Sequence, residues 1–261
     1  MIKTRSEITA QRWFPLVALL ALLIVFECCL RIFDVPAYLV PLPSQVLMAI
    51  GHGALIIIKH LSYTLAEALL GFIIGNLFAI AFGVIFSVCR IVRNSLFPLI
   101  VGLQAIPIVA IAPYIQIWFG PGLLGKVFLA ALVCYFPATV ISTTGFSRAN
   151  KDASILLEAM GANRWQTLKY LRIPGAVPSI LSALKISASL CMIGAIVAEL
   201  AGAAQGIGYL ILRASYEFRS ADLFGYVSIT TLVCYLLFKG VELLGNIYAK
   251  KYSFSYSSSD R

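Results

Sequence analysis

Repeated apolar runs, each about as long as a bilayer is thick, constrain this chain more than any other feature. They lie at about Trp13–Leu30, Ser62–Val88, Leu96–Phe119, Leu123–Gly145, Pro178–Leu200 and Leu223–Ala249. A helix needs about 20 apolar residues to cross hydrocarbon. Every backbone N–H and C=O there must be satisfied within the protein, which leaves only helices and closed barrels. Barrel strands alternate apolar and polar residues at period two, and these runs do not. The expected class is an all-α polytopic membrane protein with about six transmembrane helices. Composition agrees: 61% of residues are hydrophobic and 12% charged, against roughly a quarter charged in a soluble domain.

The net charge of +9 follows the excess of Lys and Arg in cytoplasmic loops, so no nucleic-acid partner is expected. Lys3, Arg5, Arg12, Arg90, Arg93, the cations from Arg148 to Arg172, and Lys250, Lys251 and Arg261 fall inside. Arg31, Lys59, Lys126, Arg213 and Arg219 fall outside. Both termini are therefore expected to be cytoplasmic, at residues 1–12 and 250–261. The basic start resembles a signal peptide, but no small-residue cleavage site follows Leu30, so the first helix is read as uncleaved. Glu27 within it is expected to snorkel from the helix end. The six cysteines show no metal or disulfide spacing and read as small hydrophobes.

Residues 34–61 are read as an external linker and an interfacial helix, capped by Ser44 and broken at Gly51, His52 and Gly53. The second span carries Gly71, Gly75 and Gly83 at spacings that let helix backbones approach. The third contains Pro98, Pro107 and Pro113. A helix with three prolines must kink or unwind, which is tolerable only beside protein or a water-filled cavity. Transporters build pathways from such broken helices, although kinks that only aid packing are the other reading. The candidate pathway residues are Glu67, Gln104, Pro107, Pro113, Gln116 and Glu199. Lys239 and Glu242, three residues apart, are expected to pair. Gly120 to Lys126 has the spacing of a phosphate-binding loop, but Val127 stands where Ser or Thr must reach Mg²⁺ and no strand precedes it. No nucleotide site is expected on this chain.

The longest polar, cationic interruption of the apolar pattern lies in residues 147–177, with EAMGANRWQTLKYLRIP from Glu158 to Pro174 at its centre. Its pattern reads as two short helices about a turn at Gly161. The exposed polar residues and the apolar anchors Ala159, Met160 and Leu168 suit a docking surface.

This segment resembles the cytoplasmic signature loop in membrane subunits of ATP-binding-cassette (ABC) importers. From Gly161, Leu171 lies ten residues on and Ile173-Pro174 twelve and thirteen, which is the family spacing. "PLPSQV" at Pro41, "IWFGPGLLGK" at Ile117, "PGAVPSILSALKIS", "VAEL" at Val197 and "QGIGYLI" resemble permeases of the nitrate, sulfonate and taurine subfamily. The resemblance covers about residues 39 to 248. Two positions depart from it: the family's Glu lies six residues before the Gly, where this chain has Ile155, and Glu67 stands where relatives commonly have Arg.

The resemblance implies a single permease domain with a MetI-like core, in the bacterial cytoplasmic membrane. Two copies would enclose the pathway, and an ABC ATPase dimer, carrying ATP and Mg²⁺, would dock from inside. An extracytoplasmic solute-binding protein would deliver the solute. The ATPase-coupling residues would be Leu157, Glu158, Ala159, Gly161, Ala162, Arg164, Leu171, Ile173 and Pro174. The chain itself would bind no cofactor and catalyse no bond chemistry. The implied solute is of the nitrate, sulfonate or taurine type; a thiamine-pyrimidine precursor, riboflavin or another neutral or cationic heterocycle is the alternative, which an acid at Glu67 or Glu199 facing the pathway would favour. A secondary transporter or channel is the competing class, and would need midspan coupling-ion carboxylates but no docking segment.

Overall fold

Glycine and proline decide where the apolar helices start, bend and touch. The structure is a computed structural model and describes residues 5–148 and 151–251. Its elements are α1 (Arg5–Ile32), α2 (Pro43–Val88), α3 (Arg90–Leu103), α4 (Ile108–Phe119), α5 (Leu123–Ser147), α6 (Lys151–Ala159) and α7 (Arg164–Thr167). A π-helical turn (Leu168–Arg172), α8 (Ile173–Leu200), α9 (Ile207–Tyr216) and α10 (Ser220–Lys251) follow. No strand occurs among the described residues, as an all-α membrane protein requires. Four stretches, Pro43–Val88, Leu123–Ser147, Arg164–Leu200 and Ser220–Ile247, are long and apolar enough to cross a membrane, and α3 with α4 makes a fifth if taken as one broken span. The remaining expected span, Trp13–Leu30, falls in α1, where several side chains lie outside the described residues. So do Lys3 and the Ser/Tyr-rich tail after Lys251.

The expected break between an interfacial helix and the second span does not occur. Helix α2 runs unbroken for 46 residues, about 69 Å at 1.5 Å per residue. Each glycine inside a helix costs only about 1 kcal/mol relative to Ala, and the helix on both sides propagates across Gly51 and Gly53. Nor does Ser44 cap this helix. Pro43 takes the first helical position, where no N–H is needed. Ser44 donates its N–H and hydroxyl to Glu27, at 3.2 and 2.8 Å. Glu27 also holds Arg31 at 2.6 Å, so this acid sits at the N-terminus of α2, where a negative charge is favoured, rather than snorkelling.

The proline-rich run does break. Helices α3 and α4 are bent by 100° at the stretch Gln104–Pro107, with Pro107 as the N-cap of α4. Pro98 and Pro113 are carried inside α3 and α4.

The chain divides into two compact units, Met1–Ile58 with Leu210–Ile229 and Lys59–Tyr209 with Thr230–Arg261. In the first, the Ser220 hydroxyl donates to the Tyr38 carbonyl, and Arg213, Glu217, Arg219 and Asp222 form a chain of ion pairs. In the second, α2, α5 and α8 pack closely. A Cβ on Gly71 would stand 2.5 Å from Ala130 Cβ, and one on Gly75 would stand 2.5 Å from the Ala131 carbonyl oxygen. On α8, a Cβ at Gly194 would be 2.8 Å from Ala130 Cα. Gly83 meets Phe146 and Ser142, so all three glycines read as close-packing positions are in contact. Cys134 and Cys191 are buried in this core with Ala68 and Met192. Lys239 pairs with Glu242 at 2.7 Å.

A methyl group at Gly75 would strike a backbone oxygen, which cannot rotate away. Gly75→Ala is expected to cost about 1–3 kcal/mol. Gly102→Ala, with open space around it, should stay within about 1 kcal/mol. Thermal unfolding of both variants in detergent tests this, and equal melting points would refute the close approach.

Candidate functional site

The polar segment is built from local capping rules. Helix α6 ends at a left-handed residue, Gly161, with φ +82°. The Ala162 N–H donates to the Leu157 carbonyl at 2.9 Å and the Gly161 N–H to that of Glu158 at 3.0 Å. This is the paired bonding of a Schellman turn. Nothing lies within 4 Å of a Cβ placed on Gly161, so glycine is required there by backbone conformation and not by packing. Two residues later Asn163 opens α7. Its side chain accepts from the Gln166 N–H at 2.8 Å, and Gln166 Oε1 accepts from the Asn163 N–H at 2.7 Å. That reciprocal pair is a capping box.

The π-helical turn follows directly. Pro174 has no N–H to offer the Tyr170 carbonyl and its ring crowds it; the wider turn over Leu168–Arg172 accommodates this. The segment thus runs into α8 without a loop. Thr167 and Leu168 are buried, and the Arg172 guanidinium donates to the Ser87 carbonyl near the end of α2. The outward residues are apolar to a degree unusual for a polar turn: Met160 is 74% exposed and Trp165 69%, with Ile155, Leu156 and Tyr170 also exposed. Glu158, Ala159, Gly161 and Arg164 are exposed beside them, Leu157, Ala162, Leu171 and Pro174 are half-buried, and Ile173 is exposed.

The pathway candidates separate into two groups. Gln104, Pro107 and Pro113 are exposed at or near the α3–α4 break. Glu67, Gln116 and Glu199 are buried inside the second unit. Lys126, in the first turn of α5, donates to Glu67 Oε1 at 2.7 Å. Both ends of this pair are withdrawn from solvent, with 3% and 5% of each residue exposed. Lys126 is therefore no loop cation, and the lysine of the phosphate-loop-like spacing is occupied by an acid. Gln116 Nε2 donates to the Ala198 carbonyl at 3.2 Å.

Glu199, in the last turn of α8, is fully buried. Its Oε1 accepts from the Thr64 hydroxyl at 2.7 Å and its Oε2 from the Gly208 N–H at 2.6 Å. Thr64 Oγ accepts in turn from the Ile207 N–H at 2.8 Å. The Gly206 N–H donates to His60 Nδ1 at 3.0 Å, and the imidazole stacks on Tyr209. Gly206 has φ +112°, and a Cβ there would fall 1.9 Å from Glu199 Oε1. One at Gly208 would stand 2.7 Å from Glu199 Cβ. The Gly-Ile-Gly sequence therefore forms the seat of the Glu199 carboxylate, and the acid fastens the turn after α8 to α2. Thr64 and Lys126 were missed as partners of these acids, and His60 as a partner of the Gly206 backbone. Lys126, a base within the apolar run from Leu123 to Gly145, was the available signal for Glu67.

Removing one partner of a buried ion pair leaves an uncompensated charge, at a cost of about 3–5 kcal/mol. Lys126→Met is expected to destabilise the protein by that order, and Glu67→Gln added to it should recover most of the loss. Melting of the single and double variants in detergent checks both steps. A single variant as stable as the parent would show the pair to be dispensable.

The chain is similar in sequence and fold to known proteins. Residues 71–253 match the family described as binding-protein-dependent transport system inner membrane component. The chain is 32% identical over 234 residues to the formylaminopyrimidine transport permease protein ThiX of Halalkalibacterium halodurans, over 89% of this chain and 93% of that one. It is 31% identical over 228 residues to the riboflavin transport system permease protein RibX of Chloroflexus aurantiacus, over 85% and 84%. The taurine transport system permease protein TauC of Escherichia coli is 26% identical over 251 residues, 93% and 91%. In fold, the chain resembles an inward-facing structure of the MetNI methionine ABC transporter with a TM-score of 0.66 at 15% identity, over 75% of this chain and 97% of that one. The chain belongs to the binding-protein-dependent transport system inner membrane component family, the permease subunits of ABC importers, and has a MetI-like fold.

Proposed function

We propose that two copies of this chain enclose a solute path across the bacterial cytoplasmic membrane, with both termini inside. Two ATPase subunits dock on Leu157–Pro174, and a solute-binding protein delivers solute from the other side. The observation that carries this reading is the capped segment itself. Apolar side chains at Leu156, Met160 and Trp165 stand exposed on a turn that continues through π-helix into α8. Such a segment needs a partner to cover it, and its rigid joint passes a push on α6 and α7 into the membrane helix. The chain does no bond chemistry; ATP is hydrolysed, with Mg²⁺, on the partner. Closure of the ATPase dimer shifts the segment as a rigid body and α8 with it.

For the solute we favour a small heterocycle of the pyrimidine or flavin kind over a sulfonate. The support is the identity to ThiX and RibX, 32% and 31%, against 26% to TauC. The acids do not contribute to this preference, because Glu67 is paired with Lys126 and Glu199 with Thr64 and Gly208.

At Gly161 a residue with a Cβ is penalised by about 1–2 kcal/mol in the left-handed conformation, equivalent to about tenfold in docking affinity. Gly161→Val is expected to weaken ATPase co-purification and ATP-driven uptake by about that factor, while the melting of the bundle is unchanged. Uptake by the purified chain without any ATPase would overturn the importer reading. Calorimetry of the partner binding protein with a formylaminopyrimidine, riboflavin and taurine tests the solute, and a preference for taurine would reverse the choice made here.

A further inference from the structure

Where α2 ends and α3 begins, the second unit holds a cavity of about 1430 Å³. It lies beside the segment proposed to meet the ATPase, which contributes Glu158, Arg164 and Arg172 to it, while Arg90 and Arg93 come from α3. Arg90, Arg93, Arg164 and Arg172 line it, with Glu158 as the one acid. Arg90, Arg93 and Arg164 make no ion pair among the described residues. Arg172 is committed to the Ser87 carbonyl. Phe97, Pro98 and Phe146 supply apolar lining, and α3 carries exposed Ile91 beside Arg90.

Four guanidinium groups lining one cavity with a single carboxylate are a poor arrangement unless an anion enters. Arginine presents a planar fork of donors that matches phosphate oxygens two at a time. Basic pockets between membrane helices on the cytoplasmic side are suited to anionic headgroups. A lining with both arginines and aromatic rings suits a ligand that is charged at one end and apolar at the other. We propose that this cavity binds the phosphate of an anionic phospholipid, held chiefly by Arg90 and Arg93. The bound lipid braces the start of α3 against the segment entering α8. This site stands independently of whether an ATPase docks, since Arg90 and Arg93 lie outside the proposed coupling residues.

The test uses the full-length chain in nanodiscs or detergent. Phosphatidylglycerol is expected to bind more tightly than phosphatidylcholine by native mass spectrometry, and Arg90→Gln with Arg93→Gln should weaken it roughly ten- to thirty-fold. Unchanged melting in phosphatidylcholine controls for folding of the double variant. On the unmutated chain, phosphatidylglycerol should slow phenylglyoxal modification of Arg90 and Arg93, mapped by peptide mass spectrometry. Protection by millimolar inorganic phosphate instead of lipid would support the phosphate site and assign it to a soluble anion. Equal binding of both lipids, no protection by either anion, or undiminished phosphatidylglycerol affinity in the folded double variant would overturn the proposal.

Discussion

The close approach of α2, α5 and α8 is the constraint on which the second unit depends. In a bilayer, lipid tails are as apolar as leucine, so helices gain little from hiding hydrophobic surface and rely on contact and polar bonds. Gly71, Gly75 and Gly194 bring the neighbouring backbones against Ala130 and Ala131 on α5. Only at that distance can Lys126 on α5 reach Glu67 on α2, at 2.7 Å, and Glu199 on α8 reach Thr64 on α2, also at 2.7 Å. The polar bonds and the glycine contacts hold one another in place. Without the contacts the acids would be buried and unpaired, at a cost that a hydrocarbon surrounding makes severe.

Helix α8 then acquires a fastened end and an exposed start. At its last turn the Glu199 carboxylate binds α2 through Thr64 and the following turn through Gly208. Its first turn is continuous with the π-helical segment, held to α2 by Arg172. Between these points it packs along α5. A displacement imposed at the capped segment cannot be absorbed by a loop, because none intervenes between Asn163 and Leu200. It must pass along the helix. The capping box, the Schellman turn and the π turn are local solutions to orphaned backbone groups, and together they make the joint stiff.

Much of this was legible in the sequence because the chemistry was local. Most apolar helices followed from apolar runs, the turn from Gly161, a break in the third run from its three prolines, and the Lys239–Glu242 pair from a spacing of three. What failed was either long-range or overweighted. Gly51, His52 and Gly53 were read as a break, but two glycines are a small cost to a helix of 46 residues. Ser44 was read as a cap because nothing local announced that Glu27, 17 residues earlier, would take the helix N-terminus. The side-chain partners of Glu67 and Glu199 lie 59 and 135 residues away along the chain. The glycines of QGIGYLI were recognisable as a resemblance, whereas their reason, a carboxylate seated where a Cβ would have to be, is visible only in three dimensions.

That distinction bears on selectivity. An acid in an apolar run invites the inference that it faces the pathway and repels anions, and Glu67 and Glu199 were weighed in that way. In the structure Glu67 accepts from a lysine and Glu199 from a hydroxyl and a backbone N–H. At Glu67 the opposite charge of Lys126 is in contact with the carboxylate and offsets its field. Charge on the solute cannot then be read from these two positions. The exposed polar residue left among the candidates is Gln104, at the bend between α3 and α4. Its amide can both donate and accept a hydrogen bond, so it sets no preference for the sign of a solute's charge.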